Sequence, residues 1–276
     1  MDLLLLENVL WVAVQPTEFP GYDFRFSDFF ECRRPSNRPE RVRAVARMGA
    51  TGDYAGRRRE LLSNGIELIH MPEEHLRCSQ LPQWYPLLAD MTPRSVWFDA
   101  WPDAETIARQ FGWPVFVKGE RQTSRHQRKL SILENPADFE RVKTAWDADP
   151  ILRWQRVVFR EFMPLRLVGQ QLAETLPRAF EFRSFWWKGQ FVGVGRYWTD
   201  EHYQLSDSEM AEAIALGAEA ARRVGVTFLA VDMAQTREGR WVVIECNDGQ
   251  DSGYRAVAPV IMWRHVLDLE RGERIA

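Results

Sequence analysis

Lysine is nearly missing from this chain: of 36 Lys and Arg residues, only Lys118, Lys129, Lys143 and Lys188 are lysine. Arginine serves equally well as a surface cation, so the shortage excludes no class of protein. It does make a lysine retained on an apolar strand conspicuous. Cysteine is also scarce. Cys32, Cys78 and Cys246 are odd in number and widely spaced, with no C-x-x-C pair and no Cys/His cluster, which argues against a disulfide framework or a zinc site. His70 and His75 stand five apart across Pro72, not at the spacing of a helical metal pair, and read as loop histidines. No G-x-G-x-x-G or G-x-x-x-x-G-K-[ST] occurs, which counts against Rossmann and P-loop nucleotide sites. No Ser/His/Asp or Cys/His constellation is legible either. Long apolar runs are absent: Leu3–Leu6 follows Asp2 without a basic flank and reads as a strand. With no signal peptide or membrane span read, a cytoplasmic protein without a membrane partner is expected. A net charge of −3 gives no global pull toward nucleic acid, which is not an expected partner.

What is present is ordinary in bulk, with 45% hydrophobic and 27% charged residues in a chain of 276. That length allows one large domain or two modest ones. The first ninety or so residues read as an α/β unit, with one strand or pair of strands in LLLLENVLWVAV and another in GIELIHMP. Between them, ECRRPSNRPERVRAVARMG reads as a basic loop and a short helix, either a solvated face or a phosphate or nucleic-acid patch. A short helix is expected from Pro86 to Met91, and Thr92-Pro93-Arg94 marks a boundary. Beyond it the order reads helix from Asp103, hairpin VFVKG to LSIL, helix after Asn135-Pro136, strand VVFREFMPL, hairpin about Lys188-Gly189, helix, hairpin. Ser206 and Glu209 form a capping box for the last helix, and Gly225 stops it. Antiparallel hairpins separated by helices describe α+β lobes rather than a doubly wound parallel sheet.

The final hairpin carries the strongest chemistry. If Glu238-Gly239 form its two-residue turn, Asp232 of FLAVDMAQ falls opposite Glu245 of RWVVIECND, with Asn247 on the same face. Facing carboxylates repel unless one is protonated or a cation lies between them. Mg²⁺, held by one or two carboxylates plus substrate phosphates, fits such a site. A solvent-facing acidic pair is the alternative, but both strands are otherwise apolar.

Lys118 ends an apolar strand, where it either snorkels to the surface or meets an anion. The turn after it carries Arg121, Thr123, Ser124, Arg125, His126, Arg128 and Lys129, which could close over a triphosphate or form an exposed hairpin. Arg160 and Glu161 interrupt VVFREFM. They are either a surface ion pair or, at Glu161, a ribose acceptor beside a backbone that could meet a purine edge through Met163. Pairing about Lys188-Gly189 sets Glu181 opposite Arg196 and puts Arg183 on the same face, a guanidinium pair suited to phosphate or carboxylate. A cross-strand Glu181–Arg196 salt bridge is the alternative.

Taken in order, these features resemble the ATP-grasp family over roughly residues 90–255. The thirteen-residue spacing from Asp232 to the Glu245-x-Asn247 segment is similar to that of the D-alanine–D-alanine ligase type. VFVKG, VVFREFMPL and FEFRSF look most like the R-two-K clade, and more distantly the cell-division-cycle-123 family. The resemblance implies an α+β ATP-grasp fold with an N-terminal α/β unit at 1–92 and lobes at 93–165 and 166–276. It further implies that ATP and Mg²⁺ bind. Lys118 would contact the α/β-phosphates with Arg125 and Lys129 nearby, and Glu161, Phe162 and Met163 would line the adenosine site. Arg183 and Arg196 would act catalytically on the γ-phosphate or acyl phosphate, and Asp232, Glu245 and Asn247 would hold the metal. This chain departs from the family in having a bulky Arg/His turn in place of a Gly-rich loop, and in having no Lys before 118 unless Arg94 replaces it. The expected activity is an ATP- and Mg²⁺-dependent ligation of a small-molecule or peptide carboxylate to an amine through an acyl phosphate. The alternatives are an ATP-binding assembly factor with a protein partner, or an enzyme acting on nucleic acid ends.

Overall fold

The computed structural model describes residues 41–47, 52–123 and 126–272. Strands β1 (Val42–Ala44) and β2 (Ile66–Leu68) pair in parallel and are joined through helix α1 (Tyr54–Ser63), the expected α/β unit. Val42–Ala44 is therefore a strand and not part of a helix. Its backbone is committed to the ladder with Ile66–Leu68, and Ala44 packs into a small core with Tyr54 and Leu61. The LLLLENVLWVAV strand and most of the Arg-rich segment lie outside the described residues. Within the remainder, Arg47 is buried and bonded to the Ser252 carbonyl at 2.8 Å, so it is not a nucleic-acid contact.

Helices α2 (Pro72–Ser79) and α3 (Leu81–Leu88) follow, each with proline in its first turn, where a missing N–H costs nothing. The helix expected from Pro86 thus begins earlier. Strand β3 (Ser95–Phe98) was not legible in the sequence, being four residues between Pro93 and Asp99. With β4 (Val115–Gly119), β5 (Ile132–Leu133) and β6 (Val157–Glu161) it forms an antiparallel sheet of order β3-β6-β4-β5. The expected LSIL strand keeps only Ile132–Leu133, because Arg128–Ser131 forms a one-turn helix, α5. Helices α4 (Ala104–Phe111) and α6 (Asp138–Ala148) cover one face through Ile107, Phe139, Val142 and Trp146. Val115, Val117 and Phe159 enter that core. Side-chain alternation then sends Phe116 and Lys118 out of the opposite face.

The second sheet contains β7 (Glu181–Trp187), β8 (Gln190–Arg196), β9 (Phe228–Gln235) and β10 (Trp241–Asp248) in the order β10-β9-β7-β8. Helix α7 (Asp207–Val224) opens on the Ser206/Glu209 capping box and ends at Gly225, whose φ of 63° suits glycine. It covers the face bearing Phe182, Trp186, Val231, Met233 and Cys246. Gly217 permits the close approach: a Cβ there would lie 2.6 Å from Trp186. On the other face, helix α8 (Pro259–Arg271) buries Phe185, Trp187, Phe228 and Ala230, together with Val45 and Ile69 of the first unit. Each buried Phe contributes about 2 kcal/mol by removal from water. That cover stops halfway along the sheet. Glu181, Arg183, Asp232, Glu245 and Asn247, on the same face, remain open toward the first sheet. No helix among the described residues is long and apolar enough to cross a membrane.

Candidate active site

The open half-face and the Phe116/Lys118 face of the first sheet enclose a cleft of about 1210 Å³. Such a volume exceeds that of a typical pocket for one drug-sized ligand and leaves room for a nucleotide and a second molecule.

Asp232 stands opposite Glu245 as expected, but by another route. The turn pairs Thr236 with Arg240 around three residues, with Gly239 at φ 89°, which starts the ladder one residue out of the two-residue register. A bulge at Ile244 then restores it between Val243 and Glu245. Arg160 holds this bulge, donating to the Ile244 carbonyl at 2.7 Å and to the Ser95 and Thr92 hydroxyls. It is buried, and burial pushes its guanidinium down to about 10, still a cation at neutral pH. Arg160 is therefore a tether between the sheets rather than half of a surface ion pair.

The two facing carboxylates do not confront each other uncompensated. Arg183 grips Asp232 with two bonds of 2.7 Å, in register across β7 and β9, and donates a third to the Gly253 carbonyl at 2.9 Å. Burial alone would lower the Arg183 affinity for its proton, but the Asp232 charge raises it above the ordinary range. Lys118, 4% exposed, is bonded to Glu245. Burial would raise Glu245, but the Lys118 ammonium and the Asn247 side chain hold it below its usual value. The repulsion argument for a metal thus fails, because the protein supplies its own counter-charges. The donor set remains suitable: two carboxylates and the carbonyl of Asn247 offer hard oxygens on a cavity wall, the chemistry Mg²⁺ takes.

Arg196 does not join them. A second bulge, at Val192, shifts the β7–β8 register so that Arg196 faces Phe182 rather than Glu181. One residue of slip turns a side chain to the other face. Arg196 therefore leaves from the helix-covered side and is not among the residues lining the cleft. The second guanidinium belongs to Arg255, which donates to the Tyr197 hydroxyl at 2.8 Å and stacks 4.1 Å from that ring, with Arg183 at 5.3 Å. No sequence signal marks Arg255, which sits in an irregular loop.

Glu181 lines the cleft beside Arg183, and burial together with the Asp232 charge pushes it up to about 8. A carboxyl raised in the fold stabilises it fully below its ordinary 4.5 and loses that contribution as pH rises through 8. We expect stability to fall between those values by up to about 1.4 kcal/mol per pH unit, and Glu181→Gln to remove this slope. Parallel slopes in urea titrations of the two proteins would mean that Glu181 is ionised at neutral pH.

Glu161, Phe162 and Met163 line the cleft at the end of β6. The Glu161 N–H donates to the Arg94 carbonyl at 2.8 Å, so it is not available to a ligand. The Arg94 guanidinium stacks on Phe111 at 4.9 Å, outside the cleft, and does not replace an earlier phosphate-binding Lys. From the cationic turn, Arg121, Thr123 and His126 line the cleft, whereas Arg128, paired with Glu134, and the exposed Lys129 are not among its lining residues. Arg125 lies outside the described residues. His70, in the loop before α2 as expected, and His75, on that helix rather than in a loop, are both buried: each places Nδ1 2.9 Å from Asp248 Oδ2. His70 Nε2 accepts from the Phe228 N–H at 3.0 Å, which fixes the proton on Nδ1.

Residues 110–266 match the family described as ATP-grasp domain, R-two-K clade family 3. Among solved structures, a RimK domain ATP-grasp protein from Sphaerobacter thermophilus is similar with a TM-score of 0.54 and 18% identity, over 80% of this chain and 81% of that one. The D-alanine–D-alanine ligase of Bacillus anthracis, complexed with ATP, is similar with a TM-score of 0.56 and 13% identity, over 84% and 81%. At such identity the likeness shows the fold, two antiparallel α+β lobes preceded by a parallel α/β unit. No curated protein matches the chain.

Proposed function

This chain belongs to the ATP-grasp domain family of the R-two-K clade, family 3, and from that premise we propose that it is an ATP- and Mg²⁺-dependent carboxylate–amine ligase. The observation that carries this reading is the convergence of Lys118, Arg183 and Arg255 with Asp232, Glu245 and Asn247 on one cleft between two sheets. Adenine would lie against Phe162 and Met163, with Glu161 accepting from the ribose. Lys118, a compact cation on a flexible stem, suits the α/β-phosphates. Arg183 and Arg255 present planar guanidinium groups to the γ-phosphoryl group and to the acyl phosphate formed when it passes to the substrate carboxylate. Asp232, Glu245 and Asn247 would hold Mg²⁺, which when bound neutralises charge on the phosphates. An amine then displaces phosphate from the acyl carbon. No protein nucleophile is required, since alignment and charge neutralisation supply the acceleration.

The test is a product assay with pooled carboxylic acids, peptides and amines. ADP and inorganic phosphate are expected only when acid and amine are both supplied, with a product of summed mass less one water. AMP with pyrophosphate, or ADP release indifferent to both pools, would contradict the reading.

A further inference from the structure

Among the described residues, six acidic side chains line the cleft: Glu161, Glu181, Asp232, Glu245, Asp248 and Asp251. Five are accounted for. Glu161 is exposed at a strand end, Glu181 holds its proton, Asp232 is gripped by Arg183 and Glu245 by Lys118. Asp248 accepts from His70, His75 and Gln250. Asp251 is different. Its side chain is 10% exposed, its Oδ1 is buried with no hydrogen-bond partner, and its Oδ2 lies 3.8 Å from His75 Nδ1, too far for a hydrogen bond.

A second, independent group also lines the cleft. Ser79 lines the cleft from α2, 8% exposed, and its hydroxyl is also buried without a partner. It lies one helical turn beyond His75, on the same side of α2. A buried oxygen deprived of a donor is unfavourable, and a ligand that brings donors relieves it. Burial and the Asp248 charge raise the Asp251 carboxyl well above the carboxylate range, a condition that an arriving cation reverses.

The recess is built into the transfer end of the cleft. Residues 248–255 follow directly from Glu245 and Asn247, and the same loop supplies the Gly253 carbonyl to Arg183 and carries Arg255. Arg47 braces it through the Gly249, Gln250 and Ser252 carbonyls.

We propose that the recess between Asp251 and Ser79 is the subsite for the amine substrate and takes a primary ammonium group, with both side chains accepting its hydrogen bonds. An ammonium carries three donors and no acceptor, which matches two unpartnered oxygens, one of them acidic. A metal ion fits less well. His75, Asp248 and Asp251 place ligand atoms within 4.8 Å of one another, but His75 Nδ1 and Asp248 Oδ2 are bonded to each other, which leaves only His75 Nε2 and Asp251 uncommitted in that group, too few for a closed metal site. The proposal rests on the ligase reading and specifies the chemical class of its amine.

Glycinamide as a small primary amine and acetamide as its uncharged counterpart would be titrated by calorimetry into the full chain saturated with Mg²⁺ and AMPPNP. The unaltered protein should bind glycinamide at least about tenfold more tightly than acetamide. Asp251→Asn should lose about tenfold or more of that affinity, and Ser79→Ala a few-fold, with AMPPNP affinity unchanged in both. AMPPNP binding also reports that each variant is folded; if Asp251→Asn fails to fold, Ser79→Ala carries the test. Unaltered protein that binds AMPPNP but not glycinamide overturns the proposal, as does glycinamide binding that survives both substitutions. Failure of AMPPNP to bind would instead remove the ligase reading, and glycinamide titrated without nucleotide would still read the recess.

Discussion

Asp232→Asn is expected to lower the stability of the ligand-free protein by about 3 kcal/mol, because it strands the buried Arg183 guanidinium without its counter-charge. Repulsion between the two facing carboxylates, taken by itself, would give the opposite sign, since removing one of them would relieve it. The bidentate contact at 2.7 Å reverses that expectation. A double variant, Arg183→Met with Asp232→Leu, should recover most of the loss, because replacing both members of a buried pair by apolar groups is close to neutral. Both variants should lose metal-dependent turnover. Urea unfolding of the three proteins settles the matter. If Asp232→Asn is as stable as the unaltered chain, the Arg183 contact contributes nothing to the fold.

The second large effect is on nucleotide affinity. Lys118→Met keeps an apolar stem on β4 but removes the ammonium, and is expected to weaken binding of Mg²⁺ with ATP about a hundredfold. The loss has two sources. The α/β-phosphates lose a charged donor worth about 1.5–3 kcal/mol. Glu245, deprived of Lys118, also gains a reason to hold a proton, which removes a carboxylate from the proposed metal set.

Much of this site was legible because its residues lie on strands, where spacing fixes the face. Lys118 after two buried valines, and Arg183 two residues from Glu181, follow from alternation alone. The bulges were not legible. At the last hairpin, a three-residue turn and the Ile244 bulge cancel, so Asp232 meets Glu245 although the assumed turn was wrong. At the Lys188-Gly189 hairpin, the Val192 bulge has nothing to cancel it, and Arg196 goes to the wrong face. Bulges of this kind depend on long-range partners, such as Arg160 at one and His265, whose Nδ1 lies 3.1 Å from the Val192 carbonyl, at the other. His70 and His75 illustrate the same limit. Their burial depends on Asp248, more than 170 residues away in the chain, and no local pattern announces it. The lobes themselves were readable from helix caps at Asp103 and Ser206, which act within one turn.

In the proposed reading, the cleft between the two sheets holds ATP with Mg²⁺ through Lys118 on one wall and Asp232, Glu245 and Asn247 on the other. The most direct measurement is a calorimetric titration of AMPPNP into the unaltered chain and into Lys118→Met, with and without Mg²⁺. One site per chain is expected, strongly dependent on Mg²⁺ and weakened about a hundredfold by Lys118→Met. No binding to folded protein, or binding indifferent both to Mg²⁺ and to Lys118, would contradict it.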